Sequence, residues 1–114
     1  MKNTDIHLGF IYLINGQMER VSCVDCDDEG LFVNGVPLDK VEPLSLDDKL
    51  FDDFGFKYYN GWYCPFDEGM DSVTFLKIFD GYAVTLGNHE VEDLTIRYFH
   101  EMQAVIYGLK KVLV

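Results

Sequence analysis

Positive charge is what this sequence has least of. Nine Lys and Arg stand against twenty Asp and Glu, a formal net charge of −11 over 114 residues. A surface so poor in cations repels phosphate, which argues against direct binding to nucleic acid or to anionic lipid. No apolar run is long enough to read as a transmembrane helix. The opening residues, Met1-Lys2-Asn3-Thr4-Asp5-Ile6-His7, hold no apolar stretch ahead of a small-residue cleavage site. The expectation is therefore a cytoplasmic protein without an export signal.

Cysteine is also scarce, with Cys23, Cys26 and Cys64 making an odd count that points to free thiols in a reducing compartment. Cys23-Val-Asp-Cys26 has the C-x-x-C form. Zinc would need two further ligands, and only Cys64 and one of His7, His89 or His100 are left to supply them. A redox pair would open a helix after a strand, whereas Cys26 runs into Asp27-Asp28-Glu29-Gly30, an acidic turn that raises a thiol pKa. No metal and no cofactor are assigned, and a small zinc-stabilised domain stands as an alternative.

What is present is the stuff of a core. Hydrophobic residues are 48% of the chain and aromatic residues 15%, a normal share for one globular domain. Most enzymes with a buried cleft between helices and sheet need more chain, so no enzymatic activity is expected. The one seam in residues 1–114 falls near Pro43, between a β-rich part (6–43) and a helix–sheet–helix part (44–114).

Turn chemistry is the clearest signal. Asn15-Gly16, Asn34-Gly35, Asn60-Gly61 and Asp80-Gly81 each accept the positive φ angles of two-residue hairpin loops. Each lies between apolar or β-branched runs. They predict pairings of 8–14 with 18–24, 31–33 with 36–41, 58–59 with 62–66, and 72–79 with 82–86. The fold class that follows is α+β, antiparallel hairpins with one short central helix and one longer C-terminal helix packed on the sheet.

The central helix is read from Leu46, Leu50 and Phe54 at i, i+4 and i+8, with Ser45 as N-cap and Gly55 as the left-handed residue after it. Phe56 would then touch Phe51. Asp52 and Asp53 sit at the end of the helix that disfavours negative charge. The second helix is read from Tyr98, Met102, Val105 and Leu109 on one face, starting after an N-cap at Asn88 or Thr95. Val112-Leu113-Val114 reads as a terminal strand.

The order of these pieces is similar to a group of small proteins of Bacteroides-type gut bacteria and their phages and mobile elements. The residues that carry the likeness are Tyr12-Leu13-Ile14-Asn15-Gly16, Asn34-Gly35-Val36, Glu42-Pro43-Leu44-Ser45-Leu46, Phe54-Gly55-Phe56, Trp62-Tyr63 and Tyr98-Phe99-His100-Glu101-Met102-Gln103. The likeness runs from about residue 9 to 114. Ala104 and Lys110-Lys111 depart from the group's pattern, and the Cys23/Cys26 pair is not a feature of it. The resemblance implies a cytoplasmic protein of phage or mobile-element descent and implies no activity.

Several motifs have bland explanations. Gly87-Asn88-His89-Glu90 copies one piece of a two-metal phosphoesterase site, but the other pieces are missing, so it reads as a loop. Asp25 to Gly30 begins like a calcium loop, yet Val36 stands where the bidentate Glu belongs, so it reads as an acidic turn. His100 and Gln103, with Tyr107 one turn on, could form a polar stripe for a partner; the structural alternative has His100 bonding a strand while Gln103 faces water.

Two features remain as candidate partner-binding residues. Tyr58, Tyr59, Trp62 and Tyr63 crowd one hairpin, with Phe66 beyond, and such aromatics serve either binding or cross-strand packing. Ten acids lie between Asp25 and Asp53 against Lys40 and Lys49, eight of the eleven surplus negative charges. Among them Asp47, Asp48, Asp52 and Asp53 fall on the short helix. The functional reading is a non-catalytic protein-binding module whose partner is another protein of basic character. An acidic inhibitor, immunity protein or nucleic-acid mimic that blocks a basic partner is the alternative.

Overall fold

The computed structural model describes residues 6–59, 61–65, 73–86, 89–110 and 114. The architecture is mixed α+β, with antiparallel strands in three sheets and two α-helices among the described residues. Contacts divide the chain into two units, one built up to Ser45 together with the segment from Tyr98 onward, the other from Leu46 to Arg97. The C-terminal helix groups by contacts with the residues up to Ser45.

In the first unit, β1 (Ile11–Ile14) pairs with β2 (Gln17–Arg20) across Asn15-Gly16, whose φ angles of 53° and 80° match the expected loop. A second sheet takes β3 (Val24–Asp27), β4 (Gly30–Val33) and β5 (Val36–Pro37) in that order. The acidic segment is its first hairpin turn, closed by the Glu29 N–H donating to Asp27 Oδ1 at 2.7 Å. Asn34 bears a φ of 50° at the next turn. Its Oδ1 accepts from the Ser22 and Cys23 N–H groups at 2.8 and 3.1 Å, and its Nδ2 donates to the Arg20 carbonyl at 2.9 Å. One side chain thus ties the turn to the segment that joins the two sheets. A 3-10 turn at Leu38–Lys40 then leads into β6 (Val41–Glu42), which returns to the free side of β1. Phe10, Tyr12, Ile14, Val21, Val33 and Val41 form the core.

The C-terminal helix, α2, occupies Phe99–Lys110 and packs on β1. It starts later than expected because residues His89–Ile96 are a strand. Tyr98 takes the cap position: its N–H donates to Glu101 Oε1 at 3.0 Å, half of a capping box without the usual Ser or Thr. The buried face is also turned by one residue. Phe99, Met102, Gln103 and Ile106 are fully buried, whereas Tyr98 and Leu109 are exposed. The expected terminal strand at 112–114 lies outside the described residues except for Val114.

The second unit holds a five-stranded sheet in the order β11-β10-β9-β8-β7. Its strands are β7 (Lys57–Tyr59), β8 (Trp62–Cys64), β9 (Val73–Ile78), β10 (Gly81–Leu86) and β11 (His89–Ile96). On one face lies α1 (Asp48–Asp53), two residues later than read from the sequence. The Leu46 N–H is already committed to the Arg97 carbonyl at 2.9 Å, so Asp47, not Ser45, becomes the N-cap and accepts the Leu50 N–H at 2.8 Å. The helix ends as expected. Gly55 adopts a φ of 79°, Gly55 N–H donates to Asp52, and Phe56 N–H donates to Phe51, the two bonds of a Schellman motif.

Candidate interaction site

Phe51 organises the second unit. It is fully buried, stacks on Tyr63 with ring centroids 4.4 Å apart, and meets Phe56 at 5.0 Å and Tyr82 at 4.8 Å. Strand register places Tyr58, Tyr63 and Phe75 in one cross-strand row on this face. Tyr59, Trp62, Leu76 and Ala83 form the next row on the opposite face.

The aromatic hairpin therefore divides. Tyr63 was expected to meet a partner, but it is buried under α1, because a strand beside a central strand must bury one face. Trp62 is half-buried. Tyr58 and Tyr59 stay exposed, on the edge strand β7, and Tyr58 lies against the Tyr63 ring at 4.9 Å. Asn60 and Phe66 lie outside the described residues.

The helix acids are each placed differently. Asp47 caps the helix. Asp48 accepts from Tyr82 Oη at 2.6 Å and Lys77 Nζ at 2.9 Å, tying α1 to the β9–β10 hairpin. The Tyr82 hydroxyl and the Lys77 ammonium together hold the Asp48 carboxyl below its usual range. Asp53 pairs with Lys49 one turn back at 2.8 Å, which offsets its position at the negative end of the helix dipole. Asp52 is exposed. Burial, then the charges of Asp48 and Asp52, push Tyr63 up to about 12. Burial and the bond to Asp48 raise Tyr82 further. Both phenols are held neutral, the reverse of what a general base or nucleophile requires.

The second unit thus brings Asp47, Asp48, Asp52 and Asp53 together with the aromatic hairpin. His100 and Gln103 belong to the first unit. His100 stacks between Tyr12 and Tyr98, with centroids 5.1 and 5.9 Å away. Gln103, expected to face water or a partner, is fully buried, and its Oε1 accepts the Ile11 N–H at 2.7 Å. The signal was in the sequence: Gln103 lies one residue after Met102 and three before Ile106, inside the stripe that is buried. It is a structural group that satisfies β1.

A residue absent from the sequence-level candidates is Phe79. The Asp80-Gly81 dipeptide was read as the centre of the turn, but Ile78 pairs with Gly81, so the loop residues are Phe79 and Asp80. Gly81 opens β10 at a φ of 145°, and a Cβ there would run into the Ile96 carbonyl oxygen. The shift of one residue puts Phe79 at the tip, with a relative exposure of 102%.

The thiols do not assemble. Cys23 and Cys26 are exposed and Cys64 is buried. Residues three apart in extended chain lie ~10 Å apart at Cα, beyond disulfide reach. The Cys23 thiol donates to Asp25 Oδ2 at 3.2 Å, and this bond and charge raise its pKa, against thiolate chemistry. Among the described residues no group of three or more His, Cys, Asp or Glu is placed to hold a metal. Gly87 and Asn88 of the phosphoesterase-like motif lie outside those residues. Among the described residues no helix is long and apolar enough to cross a membrane. Comparison with protein-family models, with curated proteins and with solved structures returns no match.

Proposed function

We propose that the protein is a non-catalytic, cytoplasmic protein-binding module acting through its second unit. The observation that carries this reading is the exposure of Tyr58 and Tyr59, at 58% and 56%, on an edge strand beside the acidic helix α1. Exposed tyrosines supply contact area at low entropic cost. The acids add orientation and encounter rate toward a basic surface more than affinity. The resemblance to proteins of Bacteroides-type bacteria and their phages is the ground for proposing a phage or mobile-element origin.

The test is affinity capture from the native host, identification of the retained protein, and titration of that purified protein against variants. Tyr58→Ser/Tyr59→Ser is expected to weaken binding by at least about tenfold, the scale of a hot-spot pair. Asp52→Lys should slow association with little change in dissociation. Unchanged affinity in the double tyrosine variant refutes the reading.

The acidic ribbon supports a second reading, an inhibitor or nucleic-acid mimic. Every residue of β3 is exposed, and Asp25, Asp27, Asp28 and Glu29 cluster at its hairpin. Under that reading the identified partner would bind nucleic acid, and Asp25→Asn/Asp28→Asn would abolish the contact while the tyrosine variant would not.

A further inference from the structure

Phe79 is an anomaly among the described residues, where eight other Phe and Tyr side chains are buried. A phenyl ring held wholly in water at the tip of a hairpin contributes nothing to either core. It stands beside an open groove of about 460 Å³ between α1 and the β9–β10 hairpin. Leu46, Ile78 and Tyr82 provide apolar floor, and Asp47 and Asp48 stand on the wall. Both lysines on the groove are already engaged, Lys49 with Asp53 and Lys77 with Asp48. Asp47 uses only Oδ1 for its cap, and Asp80 follows Phe79 in the exposed loop. Among the described residues neither Asp47 nor Asp80 forms an ion pair, and Asp47 lines the same groove as the exposed phenyl ring.

We infer that this groove binds an arginine-bearing segment of the partner protein, with Phe79 as its anchor; the inference rests on the protein-binding reading and names that partner's chemistry. A guanidinium stacks on an aromatic face while its planar fork of donors reaches a carboxylate, and it sheds water more readily than an ammonium. Phe79 supplies the face, and Asp47 on the same groove and Asp80, the next loop residue, supply acceptors. An apolar neighbour of that arginine would cover Ile78. The β7–β8 and β9–β10 turns lie at the same end of the sheet, since Trp62 pairs with Leu76 and the Lys77 N–H donates to the Gly61 carbonyl at 3.4 Å.

The test uses three synthetic peptides, acetyl-Arg-Leu-Arg-amide and its lysine and glutamate counterparts, titrated into isotopically labelled full-length protein. Amide shifts are expected at residues 46–49 and 77–82, strongest for arginine, weaker for lysine and absent for glutamate. Phe79→Ser, which removes no core contact, should weaken the arginine peptide by about tenfold. Asp80→Asn should weaken it less. Equal affinity of wild type and Phe79→Ser overturns the inference, as do shifts confined to the acidic ribbon at residues 25–29. Binding of wild type, but not Phe79→Ser, to zwitterionic phosphatidylcholine vesicles with no response to the peptides would assign the ring to a lipid surface and overturn it too. If Tyr58→Ser/Tyr59→Ser loses the identified partner while Phe79→Ser keeps it, this groove is excluded and the protein-binding reading survives. If Tyr58→Ser/Tyr59→Ser keeps the partner, the protein-binding reading itself fails.

Discussion

Buried polar side chains in this chain meet opposite fates, and each sets a sign for mutation. Gln103 supplies the acceptor for the Ile11 N–H inside the first unit. Gln103→Met keeps the volume and removes the acceptor, leaving a buried donor unsatisfied, so chemical denaturation should show a loss of about 1–3 kcal/mol. Thr74 and Thr85 face each other across β9 and β10, both buried, and neither hydroxyl has a hydrogen-bond partner among the described residues. Valine fills the same shape without the hydroxyl. Thr85→Val should therefore raise stability by about 1 kcal/mol, and the same denaturation experiment checks it. The position of Gln103 between Met102 and Ile106 carried its signal, whereas the burial of Thr74 and Thr85 could not be read from residue type, because it depends on what the fold lays over them.

At the scale of elements, α1 separates what is local from what is not. Its end was legible: Gly55 and the Phe51–Phe56 contact follow from short-range chemistry and occur as expected. Its start was not, because the Arg97 carbonyl, distant in sequence, takes the Leu46 N–H. Asp47→Ala should accordingly cost about 1 kcal/mol in thermal or chemical unfolding, and Ser45→Ala a small fraction of that. The same contrast applies to the hairpins. The Asn-Gly turns at 15–16 and 34–35 were legible to the residue, whereas Asp80-Gly81 was displaced by one because Gly81 must pass the Ile96 carbonyl. That displacement hid Phe79 as a candidate. The segment 89–96 reads as helix after Asn88 or as the approach to one after Thr95, yet β-branched Thr95 and Ile96 pair it with β10 once a sheet edge is present.

The contact of α1 with the hairpin also sets a pH response. Asp48 has its folded pKa lowered by Tyr82 and Lys77, so its contribution is present above the ordinary carboxylate pKa of about 4 and is lost as pH falls through the lower folded value. Tyr63 and Tyr82 have theirs raised, so their contribution is present below about pH 10 and is lost as pH rises toward and beyond 12. Tyrosinate absorbance should show a late alkaline component that appears together with loss of the near-ultraviolet circular dichroism signal. Tyr63→Phe/Tyr82→Phe should remove that late component, and Asp48→Asn should flatten the acid limb of the stability profile.

For the whole molecule, charge is the dominant property outside the two cores. A net −11 on 114 residues means that folding brings like charges together, most of all at Asp25, Asp27, Asp28 and Glu29 on the exposed ribbon. Ion pairs act in the other direction, but Lys49–Asp53 and Lys77–Asp48 both join partly exposed groups, and such pairs are worth about 0–1 kcal/mol each. Repulsion should win. Raising sodium chloride from low concentration toward 1 M shortens the screening length to roughly 3 Å. The thermal midpoint should therefore climb with salt. Chloride is the right anion, since sulfate would strengthen apolar burial by itself. In the variant Asp25→Asn/Asp27→Asn/Asp28→Asn the midpoint at low salt should be higher and the salt slope shallower, because the closest repelling charges are gone. A midpoint that falls with salt in both proteins would mean that ion pairs outweigh the acidic surplus.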